Sequence, residues 1–451
     1  THNRVLIRNK VASFIIVELS IMVAIILITN LMKHWTLLLL PNILKSQFSI
    51  GPDEMVFYIM ACYTAYYYGM MAGTWFWNKV EENFSSQASI LVSMIALGLS
   101  NFLQSQSGNV KKFIVIRFLT GFSCNINKIG TSYVHELIPK QHRKAAFFIN
   151  SGSNLVGTVA GPFVGEFLVG KTQQFTIACL VITMVCFIVA ISNVFVFIQR
   201  DTEKGEVKEE TVVLFKRYPS MVRFSTKEFI ISCFWTNQTS RRLIICFVLN
   251  SCCIQSDFVL TSLLFTNSYH QGDFVVTNSV LAYCDFISAI SGLFALGLIN
   301  LIVPSLIPYK TYFLMIISYC AFGTLITPFM KINFVDNENR MMIFKIFYVL
   351  KYSICYYLYT NLLKYFINLA IFKPYRKPLN LLLGTIKSFF DGSIFNLLIP
   401  LLYLSSKNEF TFGQKLMQFG IPFLIIGVLQ FATIILMFSF KIPRPETYME
   451  D

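Results

Sequence analysis

Apolar runs of about 20 residues, broken by short polar stretches rich in lysine and arginine, repeat along the whole chain. Reading them with a window of about 19 residues places six spans at roughly 12–33, 55–78, 87–105, 113–135, 145–169 and 174–198. Six more follow at roughly 243–268, 275–302, 311–330, 341–371, 379–404 and 416–440. Polarity does not alternate residue by residue inside these runs, so they predict helices and not the strands of a membrane barrel. One long polar stretch, Gln199 to Arg242, separates the two sets and carries Arg200, Lys204, Lys216, Arg217, Arg223 and Lys227. The pattern therefore predicts an all-α integral membrane protein of about 12 spanning helices in two six-helix bundles. Residues 1–199 form the first bundle, 200–242 a charged linker with a surface helix near 212–224, and 243–451 the second bundle.

Composition agrees with this reading. Of 451 residues, 55% are hydrophobic and only 13% charged, with mean hydropathy +0.61. A soluble domain carries about 25% charged residues to solvate its surface, so the outside of this chain must face lipid. The net charge of +14 sits in short loops and not in a basic patch, which excludes a nucleic-acid partner. The N-terminus, the linker, the loops at 140–144 and 373–377 and the C-terminus hold roughly twice as many Lys and Arg as the other side. Both termini and the linker are expected on the cytoplasmic face, or the matrix face of a mitochondrial inner membrane; the plasma membrane and other organelle membranes fit equally. The first run lacks a small-residue cleavage site and reads as a retained span.

The eleven cysteines lie almost entirely in apolar runs without zinc-type spacing, and the five histidines are scattered. No nucleotide loop or Ser/His/Asp grouping is visible, so neither a cofactor nor an enzyme is expected.

Ionisable groups inside spans are expensive and mark function or packing. They are Glu18, Arg117, Lys128, Glu166, Asp257, Asp285, Lys351, Lys387 and Asp391. Lys387 and Asp391, four apart, share a helix face and can pair. Glu18 and Lys351 lie near span ends, where long side chains snorkel to the headgroups. Lys128, with Asn125 and Asn127, forms a polar stretch that a lipid-facing helix would not tolerate. Gly157, Gly161 and Gly165, four apart beside Pro162, predict a close helix contact and a bend.

Arg117-Phe-Leu-Thr-Gly121, followed by Tyr133, Glu136, Pro139 and Arg143, resembles the fourth-helix signature of the major facilitator superfamily of solute transporters. Gly157, Gly161, Pro162 and Gly165 are similar to that family's fifth-helix motif. Arg241-Arg242, and Gly384 through Asp391 to Tyr403, resemble the seventh and eleventh helices of its organic cation/anion branch. That resemblance implies a transporter fold, conformational roles for Arg117, Gly121, Glu136, Arg143, Gly157, Gly161, Pro162 and Gly73, and a cavity aspartate at Asp391. The chain departs from the pattern between the second and third spans, where Gly73-Thr-Trp-Phe-Trp77-Asn78-Lys79 keeps the glycine and lacks the aspartate.

These residues lead to a secondary transporter for a small, charged organic solute bound near the midplane. Asp391 is the expected anchor, Lys387 its partner, and Lys128, Asn127, Asp257 and Asp285 line the wall. Beyond lipids and solute, the expected partners are other membrane subunits, on the alternative that a transport-incompetent relative serves as a structural subunit of a larger assembly.

Overall fold

The computed structural model describes residues 19–32, 34–36, 39–84, 86–124, 143–172, 174–205, 238–266, 274–306, 309–331, 337–355, 363, 367, 376–403 and 412–438. All regular structure among them is helical. In the first half the helices are α1 (Leu19–Met32), α2 (Leu40–Phe48), α3 (Pro52–Asn83), α4 (Ser86–Ser105), α5 (Val110–Ser123), α6 (Arg143–Thr172) and α7 (Phe175–Gly205). In the second they are α8 (Gln238–Thr266), α9 (Asn278–Leu306), α10 (Tyr309–Lys331), α11 (Asn337–Cys355), α12 (Arg376–Tyr403) and α13 (Phe412–Phe438). Six of them, α4, α7, α8, α10, α12 and α13, contain an apolar stretch of at least 18 residues, the length a bilayer crossing requires. Two features differ from the sequence reading. The short α2 fills the turn between the first two spans, and α7 runs to Gly205, into the stretch expected to be linker.

Local chemistry sets several helix ends. Pro52 opens α3 at a position where its missing N–H costs nothing. The Asn109 side chain accepts the Lys111 N–H at 2.9 Å and caps α5. Ser49 closes α2 in the left-handed conformation (φ 52°), and the Ile50 N–H reaches back to the Leu44 carbonyl.

The helices are amphipathic in reverse. On α7, Ile177, Val181, Met184, Ile188, Ile191 and Phe195 recur every three or four residues and are exposed. Water would not support such a stripe; hydrocarbon does. Hydroxyls instead turn inward, where Ser93, Thr120, Thr183, Ser262, Ser288 and Thr327 each bond the carbonyl four residues back. That local bond satisfies a polar group that neither lipid nor a neighbouring helix need serve.

Within the first half α3 packs on α5, α4 on α7 and α1 on α6; within the second α8 packs on α12 and α13, α9 on α11 and α10 on α13. Among the described residues the halves meet chiefly along two seams, α3 with α12 and α6 with α9.

Glycines allow the closest approaches. A Cβ at Gly157, Gly161 or Gly165 would run into the carbonyls of Leu27, Leu31 and Trp35, so α1 and α6 are in register every four residues. Trp77, in place of the missing loop aspartate, donates its indole N–H to the Phe122 carbonyl at 2.8 Å and ties α3 to the end of α5. Trp77→Phe keeps the ring and removes that bond, and is expected to cost about 1 kcal/mol in thermal stability. A variant as stable as the parent would mean the bond contributes nothing.

Candidate functional site

Besides Lys331 and Arg340, which bond the Phe274 and Lys331 carbonyls at the end of α10 and the start of α11, the buried charges of the described residues collect in three places. The first is on α12, near its middle, where Lys387 and Asp391 pair as their spacing predicts. The Lys387 Nζ donates to Asp391 Oδ2 at 2.7 Å. The pair is unequal: the Asp391 side chain is 2% exposed and that of Lys387 26%. Asp391 Oδ1 is buried and accepts no hydrogen bond. Of the two side chains, that of Lys387 is the more open.

The same helix forms the polar seam with α3. Thr64 donates to the Asn396 Oδ1 at 2.8 Å and to the Gly392 carbonyl at 3.3 Å. The Tyr68 and Ser393 hydroxyls lie 3.2 Å apart, and the Tyr68 ring stacks on Phe389. A Cβ at Gly392 would crowd the side chains of Tyr67 and Tyr68, which would have to give by a few tenths of an ångström. A groove of about 320 Å³ opens along this seam between Phe57, Met60, Thr64, Tyr68, Phe118 and Asn396. The second seam is aromatic, with Phe163 of α6 stacked on Phe286 of α9 at 4.8 Å. Beside it Ser279 donates to Glu166 at 3.1 Å.

The second place is the interior of the second half. Lys351 does not snorkel, as its position near a span end suggested. Its Nζ donates to Asp257 at 2.9 Å and to Thr327 at 2.7 Å, and Tyr352 donates to the other Asp257 oxygen at 3.2 Å. Both charged side chains are at most 6% exposed. The stem of Lys351 lies over Gly323, so the ammonium reaches its partners because α10 has no side chain there. One turn away Tyr348 donates to Asp285 at 2.6 Å. The pairing joins α8, α10 and α11, an arrangement invisible in a sequence where Asp257 and Lys351 are 94 residues apart.

The third place is Arg117 on α5, 2% exposed, with its guanidinium 4.8 Å above the Tyr66 ring. Its Nε and Nη1 make no hydrogen bond. Stacking on an aromatic face is a weaker partner than a carboxylate, and it leaves the cation underserved.

Of the other residues singled out by sequence, Gly73 and Gly121 touch the backbone of the opposing helix, at Phe122 and Tyr66 respectively. Gly69, not foreseen, does the same at Phe118. Pro162 lies within α6, and Arg143 begins it. Asn125, Asn127, Lys128 and Glu136 fall outside the described residues. No group of three or more metal-ligating side chains is present among the described residues.

The model of the Major Facilitator Superfamily matches residues 19–371 of this chain. Among solved structures, the crystal structure of the human organic anion transporter MFSD10 (TETRAN) is similar with a TM-score of 0.64. The alignment covers 94% of this chain and 99% of that one at 11% identity, a likeness of fold. No curated protein matches this sequence.

Proposed function

This chain belongs to the major facilitator superfamily, and on that premise we propose that it is a secondary transporter of a small, charged organic solute. Family and fold point to transport across a membrane and away from an enzyme. The observation that carries the finer reading is the Lys387–Asp391 pair, a charge couple held inside a spanning helix that also forms a seam between the halves. A structural pair would seal both side chains; here that of Lys387 keeps a quarter of its surface open. An anionic group on the solute is therefore the match, with Asp391 holding Lys387 in place from behind. The human neighbour's activity toward organic anions accords with this choice.

Transport follows by alternating access. The two seams rest on hydroxyl bonds and stacked rings, contacts that break and re-form at modest cost as the halves rock. The basic loops favour both termini and the linker on the cytoplasmic or matrix face.

The test is uptake of organic anions and cations into proteoliposomes. Lys387→Gln alone strands Asp391 in the membrane interior, so the double variant Lys387→Gln/Asp391→Asn serves as the folded control. Uptake of an anion is expected to fall about tenfold or more in that double variant, the loss of one charge-assisted contact. Asp391→Asn, which frees Lys387 from its positioning partner, is expected to reduce uptake less. Wild-type protein that moves neither anions nor cations would leave a scaffold as the reading, and unchanged uptake in the double variant would remove the pair from the site.

A further inference from the structure

Among the cations inside the helix bundle, Arg117 of α5 stands apart. Lys351 and Lys387 have carboxylates, and Lys331 and Arg340 bond backbone carbonyls. Arg117 has the Tyr66 ring and leaves Nε and Nη1 without an acceptor. No carboxylate pairs with it among the described residues.

The groups around the guanidinium are donors as well. The Tyr66 hydroxyl is buried and makes no hydrogen bond. The buried thiols of Cys62 on α3 and Cys179 on α7 lie within electrostatic reach of Arg117, and that of Cys124, at the end of α5, lies beside Tyr66. Thr120, one turn along α5, donates to the Ile116 carbonyl and accepts the Gln104 amide at 2.7 Å. The Gln104 Oε1 is an acceptor left over, but a neutral amide cannot balance a charge.

We propose that the first half encloses a small monovalent anion, a halide such as chloride, held by the Arg117 guanidinium and the Tyr66 hydroxyl. A buried ion without a counter-charge is strongly unfavourable, and orphaned donors in a native interior mark a water or an ion. Charge decides between the two. A water would satisfy the donors and leave the positive charge in the membrane interior, whereas a halide satisfies the donors and cancels it. Burial decides the size. Arg117, Tyr66, Cys62 and Cys179 are each at most 2% exposed, so an organic anion would have to displace side chains. Phosphate and sulfate carry more charge and call for more donors than these residues present. Cations are repelled by the guanidinium, so the thiols serve as weak S–H donors and not as metal ligands. The role of the ion is structural. It holds Arg117 over Tyr66, where α5 already rests on α3 through Gly121 and the Tyr66 carbonyl. The site is separate from the Lys387–Asp391 pair and does not rest on the transport reading.

The experiment uses the purified full-length protein in detergent, with chloride exchanged for gluconate at constant ionic strength. The unfolding midpoint is expected to rise with added chloride or bromide and to stay flat in gluconate, as binding to the folded state alone requires. The chloride NMR line is expected to broaden in the presence of the protein and to sharpen when bromide displaces the bound ion. Arg117→Gln is expected to abolish both effects. Should that variant not fold, Tyr66→Phe carries the test. It keeps the ring under the guanidinium and is expected to lower chloride affinity about tenfold, the loss of one hydrogen bond to a charge. Midpoints that match in chloride and gluconate overturn the proposal in favour of water. Broadening that persists in Arg117→Gln, or an affinity unchanged in Tyr66→Phe, overturns it as well. Neither readout involves uptake, so a failure of the transport reading shows itself separately, as wild-type liposomes that take up no solute.

Discussion

Lys351→Met is expected to destabilise the protein by about 3–5 kcal/mol, the cost of leaving a buried carboxylate without its cation. The Asp257 side chain is 6% exposed and would keep only the Tyr352 hydroxyl. Thr327 would lose its donor as well, though its own hydroxyl still bonds the Gly323 carbonyl at 2.8 Å. Removing both charges is a different matter. Lys351→Met with Asp257→Leu exchanges the ion pair for apolar groups of similar bulk and is expected to recover most of the loss. The measurement is thermal unfolding in detergent followed with a thiol-reactive dye, for which Cys62, Cys124, Cys179, Cys186, Cys246, Cys253, Cys284 and Cys320 are all buried reporters. A single variant no less stable than the double would show that the ammonium is not what balances Asp257.

Gly121→Val is expected to abolish correct folding, and Gly121→Ala to cost about 1–3 kcal/mol or more. A Cβ on Gly121 would fall onto the carbonyl oxygen of Tyr66, and a helix backbone cannot swing aside as a side chain can. The only relief is for α3 and α5 to separate. That would also open the contacts at Gly69 and Gly73 and draw the Tyr66 ring away from Arg117. Gly170 supplies the control. It lies on α6 with nothing within 4 Å of a new Cβ, so Gly170→Ala should be neutral or stabilise by up to about 1 kcal/mol through helix propensity. Monodispersity on gel filtration and the unfolding midpoint measure both substitutions. A normal midpoint for Gly121→Ala would refute the close contact.

The spans were legible because a bilayer imposes a length and an apolar composition, and both are properties of consecutive residues. The same holds for Lys387 and Asp391, whose spacing of four fixes a shared helix face, and for Gly157, Gly161 and Gly165. Gly73 and Gly121 stood out only through resemblance, and Gly69 not at all, since a lone glycine in a tyrosine-rich run has no pattern. The Asp257–Lys351–Thr327 cluster depends on the rotation and depth of three helices from distant parts of the chain. Lys351 was misjudged for that reason. Its position in the sequence is near the end of a run, but its ammonium finds acceptors inside. Nothing in the run of residues 40–48 separated α2 from a loop, because nine residues are too few for a periodicity to declare itself.

The glycine contacts have a mechanical consequence. Where backbone rests on backbone, as between α3 and α5 and between α1 and α6, there is no side chain to bend or re-pack, and each couple behaves as one stiff beam. Compliance is left to the seams, and each seam is bordered by one of these beams: α3 faces α12, and α6 faces α9. A displacement that parts Thr64 from Asn396 must therefore carry α5 with it, and one that slides Phe163 past Phe286 must carry α1. The first half has two levers, each loaded at its edge, and strain applied at either seam is delivered undiminished to the helix behind it.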